Sequence, residues 1–229
     1  MIVCIIPARG GSEGIPKKNL LPLCGQPLIG WTIDSALEAQ EIDEIFVSTD
    51  DDEIANFAKN KGVKVIKRPV EISGGDASSE SAIIHALNVI EESVDCKITL
   101  TVFLQATSPL RVRGDIAKAI LLFRDSNADS LFSSSVAADL TLWNNGPHGL
   151  ESVNFDYKQR LTRQVAPIQY VENGSIYIFR PELLLETGNR LGGRIETYIM
   201  QPWQIHEIDV QEDAELVEYY MERYLIGKW

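Results

Sequence analysis

The sequence predicts a three-layer α/β domain, and three observations predict it. The chain opens on a continuous apolar run, Ile2-Val3-Cys4-Ile5-Ile6, of the kind that is buried on both faces of a parallel sheet. From there to about residue 136, short apolar runs alternate with segments of helical period. A glycine-rich loop follows the first run directly, at the carboxyl edge where sheets of this class present ligands.

Each element has its own signal. Pro27 can open a helix in which Ile29, Ile33, Ala36 and Leu37 share the inward face. Glu44–Thr49 reads as the second strand. Asp51 and Asp52 cap a helix carrying Ile54, Phe57 and Ala58, and Gly62 stops it. Val63–Ile66 is a third strand, and Ser79–Glu92 is a helix with Ile83, Ile84, Leu87 and Ile90 inward. Ile98–Leu104 is a fourth strand, Ile116–Phe123 belongs to a helix, and Asp129–Val136 returns to the sheet. Between about residues 137 and 172 the alternation breaks around Asn144-Asn145-Gly146-Pro147, and no helical period replaces it. A structureless stretch of that length is uncommon in a compact domain, so it reads as an inserted arm that packs on a second subunit. Strand Ser175–Phe179, a short helix from Pro181, strand Thr197–Met200 and helix Asp213–Tyr224 complete one domain spanning residues 1–229.

Composition narrows the function. Of the 229 residues, 45% are hydrophobic and 24% charged, as in ordinary globular domains rather than disordered chains. The net charge of −12 excludes nucleic acid and anionic membranes as bulk partners, since both select basic surfaces. A phosphorylated substrate would therefore need local basic groups, backbone N–H groups or a metal ion. No apolar run approaches the roughly 20 residues of a membrane span. Cys4, Cys24 and Cys96 form neither a CxxC pair nor an even framework, which fits a reducing, cytoplasmic setting and three small apolar side chains. His85, His148 and His206 show no ligand spacing.

The strongest signal is the loop Ala8-Arg9-Gly10-Gly11-Ser12-Glu13-Gly14-Ile15-Pro16-Lys17-Lys18-Asn19. Its glycines let the backbone turn sharply and present N–H groups to an anion, while Arg9 and Lys18 add charge and Ser12 a hydroxyl. The loop has neither GxxxxGK[ST] nor GxGxxG spacing. Its position after a strand favours a phosphate cradle over an ordinary glycine-rich turn.

The ARGGSEGIPKKN segment resembles the signature of the acylneuraminate cytidylyltransferases. So do, in the same order, Val47-Ser48-Thr49-Asp50, Lys67-Arg68-Pro69, Asp76-Ala77-Ser78-Ser79, Gln105 to Arg111, Asn173-Gly174-Ser175-Ile176-Tyr177 and Ile208-Asp209. The resemblance implies a nucleotide-diphospho-sugar transferase-like (Rossmann-like) mixed sheet with an inserted dimerisation arm. It also implies a homodimer that transfers CMP from CTP to the anomeric hydroxyl of a nonulosonic acid, releasing pyrophosphate with Mg²⁺.

By the same resemblance, Arg9, Gly10, Gly11, Ser12, Lys18 and Asn19 hold the triphosphate and ribose. Arg68 and the segment Ala77, Ser78 and Ser79 read cytosine, whose carbonyl and amino edge suits Arg, Ser and backbone partners. Ser78 and Ser79 also suit a helix N-cap. Gln105, Tyr177 and Arg163 face the sugar acid, Arg163 from the arm of the partner subunit. Arg111 either neutralises substrate charge or starts the following helix. Tyr177 alternates with Ile176 and Ile178, so core packing suits it as well. Glu207 and Asp209, spaced i, i+2, put two carboxylates on one face of an extended chain, as a hard-cation site requires. The resemblance makes Asp209 the firmer Mg²⁺ ligand and, with Arg9 and Lys18, part of the catalytic machinery. Asp213 reads as a helix cap.

Two positions depart from the family pattern. Glu13 stands where lysine is usual, and Glu207 where aspartate is usual. They motivate one rival, a nucleotide-binding homologue without activity. The other rival is an enzyme of the same architecture that charges the eight-carbon acid Kdo or a sugar phosphate. No motif distinguishes sialic, legionaminic and pseudaminic acids or identifies a general base.

Overall fold

The computed structural model describes residues 1–12, 14–137, 140–162 and 164–226. Its centre is a seven-stranded mixed sheet in the order β11-β7-β10-β6-β1-β4-β5. The strands are β1 (Ile2–Pro7), β4 (Glu44–Thr49), β5 (Lys64–Lys67), β6 (Leu100–Leu104), β7 (Ser130–Val136), β10 (Tyr170–Phe179) and β11 (Ile195–Ile199). β1 pairs in parallel with β4 and β6, while β10 runs antiparallel to both β6 and β7. Two short hairpins lie outside the sheet, β2 (Pro22–Leu23) with β3 (Gln26–Pro27) and β8 (Trp143–Gly146) with β9 (Gly149–Ser152).

Strand alternation sorts the core into two faces. Ile2, Cys4 and Ile6 of β1 point to the side covered by α1 (Leu28–Glu38), α2 (Asp52–Asn60) and α4 (Asp115–Asp125). Val3 and Ile5 point to the side covered by α3 (Ser79–Ser93) and α5 (Pro181–Thr187). A third cluster joins α6 (Gln211–Tyr224), through Val217 and Met221, to Ile15, Leu28, Leu110 and Ile208. It fastens the chain's two ends to one flank of the sheet. The three-layer expectation holds. Cys4 lies fully inside, where burial pushes its thiol up to about 12, and all three cysteines are free.

The differences from expectation lie mostly at element ends. Leu37 is 48% exposed, because the inward face of α1 runs through Ile29, Ile33 and Ala36 and leaves residue 37 outside it. Val63 and Ile98 are buried yet sit just outside β5 and β6, so burial extends beyond the hydrogen-bonded ladder. β10 starts at Tyr170, five residues before the expected Ser175, since Tyr170–Glu172 continue the pairing with Val136–Ser134. The stretch expected as an arm therefore leaves β7 after residue 136 and returns on β10, with the β8–β9 hairpin between. Trp143 meets the rings of Phe155 edge-on and Tyr157 at a tilt, and the Arg160 guanidinium lies 5.0 Å from the centre of Phe155. Around this small cluster, Leu150, Val165, Ile168 and Tyr170 face outward.

Candidate nucleotide and acceptor cleft

At the carboxyl ends of β1 and β6, Arg9, Gly11, Ser12, Lys18, Asn19, Arg68, Ala77, Ser78, Ser79, Gln105 and Thr107 line one cleft of about 240 Å³. Most residues singled out from the sequence thus converge, though they come from segments far apart in the chain.

The loop after β1 is shaped by close approaches. Gly10 N–H donates to Asp50 Oδ1 at 2.9 Å, and a Cβ on Gly10 would fall 2.8 Å from Asp51 Cβ. The N–H of Gly10 is thus already used, and its lack of a side chain admits the cap of α2. Gly14 touches the backbone oxygen of Asp209, where any Cβ would collide. Asn19 is buried and donates through Nδ2 to the Arg9 carbonyl at 2.9 Å, fixing the backbone that carries Arg9. Arg9 Nη1 reaches across to the carbonyls of Gly74 and Gly75, at 2.5 and 2.9 Å, so the guanidinium bridges the two walls of the cleft.

On the facing wall, Ser78 caps α3 by accepting Ser81 N–H at 3.1 Å while also lining the cleft, so its two expected roles coexist. The positive end of a helix then faces the ligand space. Arg68 is buried, with Nη2 donating to Ser48 O at 2.6 Å and Nε to Ser48 Oγ at 3.3 Å. Burial lowers its pKa, against the attraction of Asp50.

Arg111 neither starts a helix nor lines the cleft. Its guanidinium lies beneath the floor, donating to Thr32 Oγ1 at 3.0 Å and to the carbonyls of Gln105 and Ser175 at 2.8 and 2.6 Å. α4 begins only at Asp115. Buried there, Arg111 takes a positioning part: two of its bonds hold the backbone under Gln105 and β10, and the third ties them to Thr32 of α1. Burial pulls its pKa down to about 10, which still leaves it charged at neutral pH.

Tyr177 is also buried. It stacks on Phe103 with ring centroids 5.2 Å apart, and its hydroxyl donates to Glu172 Oε1. Burial and that carboxylate push its ionisation up. Between Glu172 and Tyr177 the pairing with β7 slips. There Asn173 accepts from Ser133 Oγ at 2.6 Å, and Gly174 adopts a φ of 66°. A Cβ on Gly174 would approach Glu207 Oε2, Ser108 Oγ and Gln105 Oε1 within 3.0 to 3.2 Å. The bulge brings the backbone of Gly174 close to these three side chains, with no room for a Cβ.

The acidic pair is oriented by the residue between its members. Ile208 is fully buried and donates its N–H to Thr107 O at 2.8 Å, which turns Glu207 and Asp209 away from the core. Asp213 accepts the N–H groups of Asp209 and Val210 through Oδ2, both at 2.9 Å, so the expected cap works from inside the first turn of α6. Lys18 Nζ lies 2.7 Å from Asp209 Oδ1. Burial and the neighbouring Asp209 raise the pKa of Glu207. Two mutually repelling carboxylates beside a lysine ammonium are a donor set suited to a hard cation, and Mg²⁺ commonly takes only one or two carboxylates when phosphates complete its shell. Glu207 and Asp209 therefore fit the expected metal. Among the described residues, no cluster of three or more His, Cys, Asp or Glu offers a self-sufficient metal site.

Glu13 and Arg163 lie outside the described residues. Sequence reading missed Thr107, Phe103, Gly174 and the carbonyls of Gly74 and Gly75. The last two act through backbone atoms, which no residue type announces, while Thr107 and Gly174 stood inside matched segments without a role.

A family model described as "Cytidylyltransferase" matches residues 3–218. N-acylneuraminate cytidylyltransferase A of Danio rerio is 36% identical over 97% of this chain and 51% of its own length. N-acylneuraminate cytidylyltransferase of Streptococcus agalactiae serotype III is 32% identical over 92% of this chain and 51% of its own length. The chain thus spans about half the length of the curated relatives it matches. Among solved structures, CMP:2-keto-3-deoxy-manno-octonic acid synthetase complexed with CTP superposes with a TM-score of 0.72 at 18% identity, covering 98% of this chain and 99% of the other. The 4-diphosphocytidyl-2C-methyl-D-erythritol synthase of Anaerococcus prevotii gives 0.69 at 15% identity, covering 97% and 98%. At these identities the two structures speak for the fold alone.

Proposed function

The chain belongs to the cytidylyltransferase family, and from that premise we propose that it transfers CMP from CTP to the anomeric hydroxyl of a nonulosonic acid of the N-acylneuraminate type. The observation that carries this reading is the single cleft in which the glycine loop, the capped start of α3 and Gln105 meet, with the Lys18–Asp209 pair at its side. The N-acylneuraminate names of the relatives at 32 to 36% identity favour this acceptor over Kdo.

In the proposed reaction the anomeric oxygen attacks the α-phosphorus of CTP, the bond to the bridging oxygen breaks, and pyrophosphate leaves in line. Such a transfer asks mainly for positioning and charge neutralisation. Arg9, Gly11, Ser12, Lys18 and Asn19 hold the phosphates and ribose, and Lys18 exchanges part of its contact with Asp209 for the incoming anion. Arg68, Ala77, Ser78 and Ser79 take the base. Gln105, on a backbone braced by Arg111, orients the acceptor, and Tyr177 supports the wall beside it. Glu207 and Asp209 would hold Mg²⁺, which when bound neutralises triphosphate charge.

The remaining proposals concern the assembly. The outward-facing Leu150, Val165, Ile168 and Tyr170 support a homodimer in which residues 137–172 form the dimerisation arm of a single domain and Arg163 serves the partner's cleft. A cytoplasmic setting is proposed from the three free thiols. No helix among the described residues is long and apolar enough to cross a membrane.

The test is pyrophosphate release with CTP and Mg²⁺ over a panel of sialic, legionaminic and pseudaminic acids, Kdo and sugar phosphates. Turnover confined to nonulosonic acids is expected. Preferred turnover of Kdo or a sugar phosphate would transfer the chain to the first rival reading, and CTP binding with no turnover of any acceptor to the inactive one.

A further inference from the structure

The segment that carries Ala77 and Ser78 to the cleft has little of its own to hold it. None of residues 73–78 is buried, and Gly74 and Gly75 give it the freest backbone a chain can have. Ser73 donates through its N–H to Val70 O and through Oγ to Pro69 O, and the Ala77 N–H donates to Gly74 O, so these bonds stay within the segment and its approach. Ser78 bonds forward, to Ser81 of α3. Among the described residues, the hydrogen bonds that reach residues 73–78 from elsewhere in the chain all come from Arg9, whose Nη1 serves the Gly74 and Gly75 carbonyls at 2.5 and 2.9 Å. Arg9 is itself anchored, because Asn19 Nδ2 holds its carbonyl. Both hydrogens of Nη1 are spent on the segment. Nε and Nη2 take no hydrogen-bond partner among the described residues, and Arg9 lines the cleft.

We propose that Arg9 is a specificity-determining residue for the base as well as a phosphate ligand, because it ties the segment proposed to read cytosine to the loop proposed to hold the triphosphate. The inference rests on the function proposed above and deepens it. Cytosine presents an amino donor where uracil presents a carbonyl acceptor, so the two are told apart only by groups that keep their places. A loose backbone turns to satisfy either base, and the difference between their binding energies shrinks. Ordering an exposed, glycine-bearing segment costs conformational entropy, and the two bonds from Arg9 offset part of that cost before a nucleotide arrives. A phosphate bonded to Nε and Nη2 would fix the same guanidinium further, so occupancy at the triphosphate end tightens the base end. The planar fork allows both tasks at once. A lysine brings the charge on a single nitrogen and offers no such division of sides.

The experiment measures Kd for CTP, UTP and inorganic tripolyphosphate, each with Mg²⁺, on the parent and on Arg9→Lys, with melting temperatures alongside. The parent should prefer CTP to UTP. Arg9→Lys should lose about fivefold or more of that preference, the worth of about one hydrogen bond, and should lose less affinity for tripolyphosphate than for CTP. A second measurement needs no base at all. Tripolyphosphate alone should slow amide hydrogen exchange over residues 73–78 in the parent and leave it unchanged in Arg9→Lys. An equal loss of affinity for all three ligands would show that Arg9 serves phosphate only. That result, or exchange that tripolyphosphate does not slow in the parent, would overturn the proposal while leaving the proposed function intact. If the parent binds CTP no more tightly than UTP, the proposed reading of cytosine falls and this proposal with it.

Discussion

Lys18 Nζ and Asp209 Oδ1 are 2.7 Å apart, and the two partners differ sharply in exposure, 13% for the lysine side chain against 70% for the aspartate. The lysine is fixed by the loop that carries it, with Lys17 before it in the left-handed region at a φ of 52° and Asn19 after it buried. The aspartate is the open side of the pair. An ion pair this exposed contributes little to stability, about 0–1 kcal/mol. Its significance is positional, since it holds a cation against the carboxylate assigned to the metal.

Asp209→Asn should therefore abolish most turnover and leave the fold intact. Loss of one metal carboxylate is expected to cost about 3 kcal/mol of transition-state stabilisation, a factor of more than about a hundred in rate. Melting curves should barely move. Near-normal rates at saturating Mg²⁺ would remove Asp209 from the mechanism.

Arg68→Ala tests base reading and structure together. If Arg68 reads cytosine, the gap in kcat/KM between CTP and UTP narrows, since discrimination is a difference between transition-state energies. The variant also removes one of the two donors to Ser48 O, with the Ala8 N–H left in place, so a destabilisation of about 1 kcal/mol should accompany it in urea unfolding. An equal loss with both nucleotides would assign Arg68 to phosphate binding or to the fold alone.

The arm is tested by complementation. Arg163→Ala and Asp209→Asn proteins, each inactive alone, are mixed and allowed to exchange subunits. A heterodimer then has one cleft with both defects and one with neither, so activity should return. Heterodimers that form without regaining activity would place Arg163 in its own subunit's cleft.

Asp115 gives a prediction in pH. It is 4% exposed, and burial raises its pKa even though Gln204, the Val112 N–H and the Tyr198 hydroxyl all donate to it. The folded chain thus holds this proton more tightly than the unfolded chain does. Ionising Asp115 consequently opposes folding. Its unfavourable contribution is absent below the ordinary aspartate pKa of about 3.9 and grows as pH rises through the raised folded value. In urea unfolding from about pH 3.5 to 7, a window set around that ordinary value, the stability of the parent relative to Asp115→Asn should fall as pH rises. A difference that is flat or of opposite slope would contradict the assigned shift.

Much of this was legible in the sequence because it is local. Periodicity marks α3 and the strands, and Asp51 and Ser78 announce helix starts by their side-chain acceptors. The lining of the cleft was legible where a charged or polar side chain follows a strand, as at Arg9, Lys18 and Gln105. Arg111 shows the limit. Its charge suggested a substrate, but its destination depends on Thr32 and Ser175, positions far away in the chain whose approach only the sheet order determines. The bulge at Asn173–Gly174 was likewise hidden, since a register slip arises from pairing with β7 and not from the residues of β10 alone.

The contact of Gly14 with the Asp209 backbone has a consequence for biosynthesis. By the time the ribosome has made Ser79, every side chain proposed to grip the nucleotide exists, while the carboxylates proposed for the metal do not. The loop that must close between residues 14 and 209 encloses nearly all of the chain, and contacts at such separation form late because their entropy is lost before they reward it. A growing chain would thus complete the cleft lining proposed for the nucleotide well before the carboxylates proposed for the metal, and the close fit at Gly14 would join the two only near the end of synthesis.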